Sequence, residues 1–185
     1  MSGIIGLSPN MRSGMVGKFP TGHIINAKQW IDTSGSYTVS SATDTSFTDS
    51  VDGGQASFTT TTGNTYLVQF QGEFYIASDG SNISGRAGTI YLRYGTSAVA
   101  EGATTSLGDV IVIKTLGRDL IAASTVAASS NPQINIMYMF TAGSATTYYF
   151  NISGKAGTER DQILSKTSTR PAFFTYYEFQ GDITA

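Results

Sequence analysis

The sequence predicts an all-β protein, and three observations support this prediction. Apolar and polar residues alternate along several segments, which is the period of strands with one buried face. Serine, threonine and glycine number 22, 25 and 21 of 185 residues, a mix that favours strands and turns over helices. No segment of helical length has a convincing 3.6-residue period; the one weak candidate, 159–166, is short and lacks an apolar stripe.

About eight strands are expected, separated by clusters of Gly, Ser, Asn and Asp. In chain order they are 24–31, 66–76, 90–94, 110–115, 120–126, 134–141, 148–153 and 172–180. The second strand alternates most clearly, with Val68 and Phe70 on one parity and Gln69 and Gln71 on the other. The last strand is apolar on both parities, which predicts burial on both faces. Strands at this spacing are typical of an all-β sandwich or barrel.

The charges divide the chain into three zones. Residues 1–31 contain three basic residues, no acid and many glycines, which predicts an extended N-terminal arm. Residues 32–63 contain four aspartates and no base, which predicts a Ser/Thr-rich acidic connector with short strands. Residues 64–185 then form the main part of the β-sandwich.

Composition excludes several functional classes. The absence of cysteine excludes disulfide scaffolds, cysteine-based zinc sites and thiol nucleophiles. A net charge of −2 gives no general attraction to nucleic acid or to anionic membranes. The longest uncharged run, 120–154, contains too many polar residues to span a bilayer as a helix. The N-terminus also lacks the basic region and apolar stretch of a secretory signal.

No catalytic, cofactor-binding or metal-binding residue is predicted, and the protein is not expected to be an enzyme. The single histidine, His23, is not accompanied by a nucleophile elbow and is interpreted as a turn or interface residue. Asp44, Asp49 and Asp52 leave a structural calcium site open as an alternative. Their spacing differs from that of an EF-hand, so a solvated acidic loop is favoured.

The aromatic residues carry the strongest signal. The chain has 10 Tyr and 10 Phe but only 13% charged residues, whereas ordinary domains have roughly 25%. Segments 148–150 and 173–177 place aromatic residues on both faces of their strands, more than one small core needs. Subunit interfaces are rich in aromatic residues and poor in charge. The sequence therefore predicts a subunit interface, and a sugar-binding or partner-binding surface is the alternative; the predicted interface residues are Tyr148, Phe150, Phe174 and Tyr176.

Three segments resemble parts of two known groups of proteins. Residues 1–23, which begin MSGIIGLSPNMRSGMVGKFP, resemble the N-terminus of small virion-associated proteins of marine tailed bacteriophages. The segment 63–70 and the aromatic strand 173–179 are similar to those of the tumour necrosis factor and complement globular head jelly rolls. This resemblance implies a jelly-roll β-sandwich that forms a compact homotrimer, with aromatic residues along the three-fold axis. It carries no ligand site over to this chain.

These observations lead to one main hypothesis and one alternative. The main hypothesis is a phage structural protein on the virion surface, either a capsid decoration protein or a component of head or tail fibres. Its basic arm would bind another virion protein, because glycines allow close backbone approach and bases attract acidic grooves; the predicted anchoring residues are Arg12, Lys18, Phe19 and His23. The alternative is a host-receptor or polysaccharide adhesin at a fibre tip, with a host surface glycan as its partner. A small depolymerase has the least support.

Overall fold

The protein is described from a computed structural model, which covers residues 21–40, 42–49, 56–76, 88–116, 133–156 and 162–184. These residues form eleven β-strands, and every described pairing between strands is antiparallel. The predicted all-β class is therefore confirmed. Within the same residues, no helix is long and apolar enough to cross a membrane.

Sheet A is built around one long central strand. Its six strands are β1 (Ile24–Asp32), β2 (Tyr37–Val39), β5 (Thr65–Ile76), β8 (Gln133–Thr141), β10 (Gln162–Ser165) and β11 (Ala172–Phe179). Strand β8 pairs along one edge of β5, and β11 followed by β10 pairs along the other edge. Strands β1 and β2 lie outside β11 and β10, respectively.

Sheet B has five strands and, like sheet A, is arranged around one strand that is paired on both edges. They are β3 (Thr45–Ser46), β4 (Ala56–Thr59), β6 (Gly88–Gly95), β7 (Asp109–Leu116) and β9 (Thr147–Lys155). Strand β9 pairs with β6 on one edge and with β4 and β3 on the other. Strand β7 forms the outer edge, next to β6.

The topology is that of a jelly roll. When β1 with β2, β3 with β4, and β10 with β11 are each counted as one interrupted strand, eight strands remain. The first then pairs with the eighth, the second with the seventh, the third with the sixth and the fourth with the fifth. This is the pairing of a long antiparallel ribbon wrapped into two sheets, which confirms the predicted jelly-roll sandwich.

The core lies between the two sheets and is largely aromatic. Every second residue of β5 is directed into it, so Tyr66 and Phe70 are fully buried. From sheet B, Phe58 stacks on Tyr66 at 5.1 Å and on Tyr176 at 4.2 Å between ring centroids. Aromatic pairs at such distances add to the stabilisation that burial alone provides.

The structure changes several details of the sequence prediction. Residues 24–32 pair with β11, so this part of the predicted arm belongs to the sandwich. The four shortest strands, β2, β3, β4 and β10, were not predicted individually, because two to four residues are too few to show alternation. The expected burial of β11 on both faces is wrong, since its residues alternate between buried and half-buried. The predicted strand 120–126 lies outside the described residues.

Candidate functional site

Of the predicted anchoring residues, only His23 lies within the described part of the chain. Arg12, Lys18 and Phe19 lie outside it. His23 is exposed immediately before β1, and its carbonyl oxygen accepts a hydrogen bond of 2.8 Å from the backbone N–H of Gln180. The segment that enters the sandwich therefore lies beside the segment that leaves β11.

Three of the four predicted interface residues are core residues of the monomer. Phe150, Phe174 and Tyr176 are only 1%, 2% and 6% exposed, because their strands direct these side chains between the sheets. Their burial leaves no side-chain surface for a partner subunit. Tyr148 is half-buried and keeps an exposed edge.

The outward-facing residues of β11 and of its neighbours in sheet A form a continuous uncharged surface. In antiparallel strands, directly paired residues lie on the same face, so the register across β1, β11, β5 and β8 defines three rows of neighbours. We call this surface the outer face of sheet A. Its rows are Ala27, Tyr177, Leu67 and Met139; Gln29, Thr175, Gln69 and Met137; and Ile31, Phe173, Gln71 and Asn135.

Large apolar side chains on this face are exposed to solvent. Met137 is 57% exposed, Ile31 is 53% exposed and Met139 is 43% exposed, while Tyr177 and Leu67 are half-buried. Isolated apolar residues are normal on a protein surface, but a contiguous group marks an interaction site. Methionine is also common at such sites, because its flexible thioether adapts to the partner.

Four polar residues of the outer face of sheet A are joined in two hydrogen-bonded pairs. The Gln29 amide donates to the Thr175 hydroxyl at 3.2 Å, and the Gln69 amide donates to the Asn135 side-chain oxygen at 3.0 Å. Side chains that are already paired lose less when water is removed from them. Covering this face therefore costs little polar desolvation.

Among the described residues, the charged groups that border this face lie at its two ends. Arg170 donates to Glu73 at 3.0 Å beyond the row that contains Gln71. At the other end, the Thr141 hydroxyl donates to the Asp182 carboxylate at 2.8 Å. The face therefore has an uncharged centre of mixed polar and apolar residues with a charged border, and depletion of charge at the centre is typical of protein interfaces.

A second feature is an aromatic cleft between the ends of the two sheets. It is lined by Tyr94 of β6, Tyr138 and Phe140 of β8, and Tyr148 of β9, and it encloses about 210 Å³. The ring centroids of Tyr94 and Tyr148 lie 5.3 Å apart, and those of Phe140 and Tyr148 lie 5.9 Å apart. Aromatic rings beside an open space are suited to stacking on an apolar or sugar ligand.

The cleft continues into an open groove with polar walls. This groove of about 440 Å³ shares Tyr94 and Tyr148 with the cleft and adds Ser97 and Asp109. Gly108 allows the β6–β7 loop to approach, because a Cβ at this position would lie 2.3 Å from the carbonyl oxygen of Tyr94. Burial, followed by the nearby Asp109 carboxylate, raises the pKa of Tyr94, so its hydroxyl stays protonated as a hydrogen-bond donor.

Two aspartates of the acidic connector form ion pairs in the described structure, Asp44 with Arg93 and Asp32 with Lys166. Arg93 of β6 donates to the Asp44 carboxylate, to the Ser153 hydroxyl at 2.7 Å and to the Gly108 carbonyl oxygen at 2.7 Å. Asp52 lies outside the described residues. Within these residues, no group of three or more His, Cys, Asp or Glu side chains is arranged to hold a metal ion.

Comparisons with known proteins assign no family. No family model matches the chain, and no curated protein matches it. The structure of Eiger TNF from S. frugiperda matches with a TM-score of 0.48 and 12% identity, over 88% of this chain and 99% of that chain. The infectious bursal disease virus VP2 subviral particle matches with a TM-score of 0.21 and 10% identity, over 86% of this chain and 43% of that chain. We transfer no function from either protein.

The exposed apolar residues on the outer face of sheet A were not predicted from the sequence. Met137 and Met139 share the parity of Asn135 and Thr141, which alternation assigns to the wet side of β8. The sequence did offer one indication of this surface: Met137 and Met139 are large apolar residues at positions of β8 where the alternation predicts polar ones. In β11 both parities are aromatic, so the sequence could not show that Phe173 faces outward and Phe174 inward.

Proposed function

We propose that this chain is a non-catalytic structural subunit of a bacteriophage particle, displayed on the virion surface as capsid decoration or as part of a head or tail fibre. In this proposal it forms a homotrimer through its β-sandwich, and its N-terminal arm binds another virion protein. The protein is made in the host cytoplasm and functions in the virion. The resemblance of residues 1–23 to virion-associated phage proteins supports the setting.

The observation that carries the assembly proposal is the uncharged outer face of sheet A. Around a three-fold axis the same residues of three copies come close together, so a face without charges avoids repulsion between identical groups. This patch has exposed Met137, Met139 and Ile31, which gain hydrophobic stabilisation when a second copy covers them. Its charged groups, Glu73 and Asp182, stay at the border.

The oligomeric state tests this proposal. We expect light scattering of the purified full-length protein to give three times the mass of the chain at micromolar concentration. Met139→Glu should shift the mass to that of a monomer, because the interface would bury an unpaired charge. Ile113→Glu is the matched control: Ile113 is 63% exposed on sheet B, so this variant should remain a trimer. A stable wild-type monomer would refute the assembly proposal.

The arm is tested separately on virions. Virions depleted of the protein are mixed with the full-length chain or with a chain that starts at residue 21, and bound protein is measured after sedimentation. We expect the shortened chain to lose binding and the full-length chain to retain it. Equal binding of both chains would contradict an anchoring role. The copy number per virion then separates capsid decoration, with hundreds of copies, from fibres, with a few trimers.

The aromatic cleft supports a second candidate function, which is recognition of a host receptor or polysaccharide. Tyr94 and Tyr148 offer ring faces, and Asp109 offers a carboxylate that can accept hydrogen bonds from sugar hydroxyls. On a glycan array, Tyr148→Ala should lose the wild-type signals. Tyr149→Ala should retain them, because Tyr149 lies on the opposite face of β9. An absence of wild-type signals would argue against this function.

A further inference from the structure

One lysine of the sandwich is completely buried among groups from three distant parts of the chain. Lys166 follows β10 directly, and its side chain is 0% exposed. Its Nζ donates to a carboxylate oxygen of Glu101, in the β6–β7 loop, and lies 3.4 Å from Oδ2 of Asp32, at the end of β1. Lysine is almost never fully buried unless it is paired.

The two carboxyl groups have different surroundings. The Asp32 side chain is only 8% exposed, whereas that of Glu101 is 31% exposed. Oδ1 of Asp32 accepts two hydrogen bonds from Ser34, one of 3.0 Å from the backbone N–H and one of 2.7 Å from the hydroxyl. One oxygen of Asp32 is therefore held by donors, while the other faces the lysine amine.

Backbone hydrogen bonds hold these groups together. The N–H of Gly35 donates to the carbonyl oxygen of Lys166 at 2.7 Å, which joins the segment after β1 to the segment after β10. The β6–β7 loop is fixed by Gly102, whose N–H donates to the carbonyl oxygen of Ser46 at 2.9 Å. The amine and both carboxyl groups are thus preorganised by the fold rather than by their own attraction.

We propose that Lys166 and Asp32 form an intramolecular isopeptide bond, with Glu101 transferring the proton. The Lys166 nitrogen lies 3.4 Å from Oδ2 of Asp32, and Oδ2 is bonded to Cγ, so the fold holds the nitrogen close to the carbon that it would attack. Holding two reacting groups together in this way is the condition for efficient intramolecular reaction. Ser34 supplies the donors that stabilise a developing negative charge on Oδ1. Glu101 contacts the amine and keeps some contact with solvent, as a proton-transferring group requires.

The reaction is a condensation with no change in oxidation state. A proton moves from the Lys166 ammonium to Oδ2 of Asp32, which leaves a neutral amine and a carboxylic acid. The nitrogen lone pair attacks Cγ of Asp32, and the C=O electron pair moves to Oδ1. Glu101 takes a proton from the nitrogen and passes it to the Oδ2 hydroxyl. The C–Oδ2 bond then breaks, water leaves, and the carbonyl reforms as an amide.

The bond would connect the first strand of sheet A to the segment between β10 and β11. A force applied to the N-terminal arm would separate β1 from β11 one residue pair at a time, beginning at Ile24. The isopeptide bond would stop this separation at Asp32, where the force passes to Lys166 through covalent bonds. This consequence is useful for the proposed virion anchoring, but the bond itself does not depend on that function.

Intact mass spectrometry of the denatured full-length protein tests the proposal. We expect a mass lower than the sequence mass by one water molecule, and peptide mapping should show the peptide of Asp32 joined to that of Lys166. Lys166→Arg keeps the positive charge without the nucleophilic amine, and it should have its full sequence mass. Glu101→Gln keeps both joined residues, and its bond formation should be slowed or lost.

Asp32→Asn gives a more specific readout. An asparagine side chain attacked by the same amine releases ammonia, so this variant should lose the mass of ammonia instead of water. Near-ultraviolet circular dichroism verifies that each variant is folded. A folded wild-type protein with its full sequence mass after prolonged incubation would show a simple ion pair and overturn the proposal. The proposal would also be overturned if peptide mapping placed the loss of water at an Asp-Gly sequence. A bond from Lys166 to Glu101 instead of Asp32 would overturn it as well.

Discussion

At the scale of single residues, the buried hydroxyl of Tyr66 is hydrogen-bonded to both Glu178 and Thr61. Tyr66 is fully buried, and its hydroxyl donates to the Glu178 carboxylate at 2.6 Å. The same hydroxyl oxygen accepts a hydrogen bond of 2.7 Å from the backbone N–H of Thr61. Asn64 donates to the same Glu178 oxygen at 2.8 Å, so the carboxylate has two donors in the core. Such a network is stable when every member is satisfied and costly when one is removed.

Tyr66→Phe should therefore destabilise the protein by about 1–3 kcal/mol at neutral pH, because Glu178 loses a donor and Thr61 loses an acceptor. Urea unfolding followed by fluorescence of Trp30, the single tryptophan, measures this difference. Unchanged stability would mean that water replaces the hydroxyl without loss. Such a result would contradict the tight packing of the aromatic core.

The same network predicts how this difference changes with pH. Burial, and next the hydrogen bond to Glu178, raises the pKa of Tyr66 from 10.0 to about 12. The folded state holds the Tyr66 proton more tightly than the unfolded state does. The stabilisation that the protonated hydroxyl provides is therefore complete below about pH 10. It is lost as the pH rises to about 12, which lowers the free energy of unfolding by about 2–3 kcal/mol. The pKa values of Tyr94 and Tyr176 are also raised, so both the wild type and Tyr66→Phe lose stability at alkaline pH. The wild type should weaken more, and a constant difference from pH 9 to about 12 would contradict this assignment.

At the scale of elements, Gly72 marks the point where β5 exchanges one partner for another. Its neighbour Gln71 pairs with β11, and its other neighbour Glu73 pairs with β10. A Cβ on Gly72 would lie 2.7 Å from Cζ of Phe70 and 3.0 Å from Cδ1 of Leu164. Phe70 and Leu164 are fully buried, so neither side chain can move without disturbing the core.

Gly72→Ala should consequently cost about 1–3 kcal/mol through overpacking. Gly143→Ala, in the β8–β9 turn, is the matched control, because no atom lies within 4 Å of the added Cβ. Thermal unfolding of both variants gives the comparison. If the two variants had equal melting temperatures, the close contact around Gly72 would have to relax at no cost.

Elements also show how far the sequence alone could lead. Strands β5 and β8 were predictable because alternation continues over nine or more residues. Strands β3 and β10 have two and four residues, and pairing with longer neighbours creates them, so no local pattern reveals them. The cluster of Lys166, Asp32 and Glu101 was likewise hidden, because its members come from segments that only the folded topology brings together.

At the scale of the whole molecule, the two ends of the described chain meet on the same sheet. Strand β1 is the outer neighbour of β11, and the N–H of Gly22 donates to the carbonyl oxygen of Gln180 at 2.8 Å. Every described strand pairing of the sandwich lies within the chain from residue 21 onward. We therefore expect any role of residues 1–20 in anchoring to be separable from folding.

Two truncations test this separation. A chain that starts at residue 21 should unfold within about 2–4 °C of the full-length protein, since it retains β1 and every described pairing. A chain that starts at residue 33 lacks β1, exposes the edge of β11 and leaves Lys166 without Asp32. Exposed sheet edges promote aggregation, and Lys166 keeps Glu101 but loses the more deeply buried of its two carboxyl partners, which is destabilising. Calorimetry and size-exclusion chromatography should therefore show a cooperative transition for the first chain and aggregation for the second. Cooperative folding of the second chain would show that the sandwich closes without its first strand.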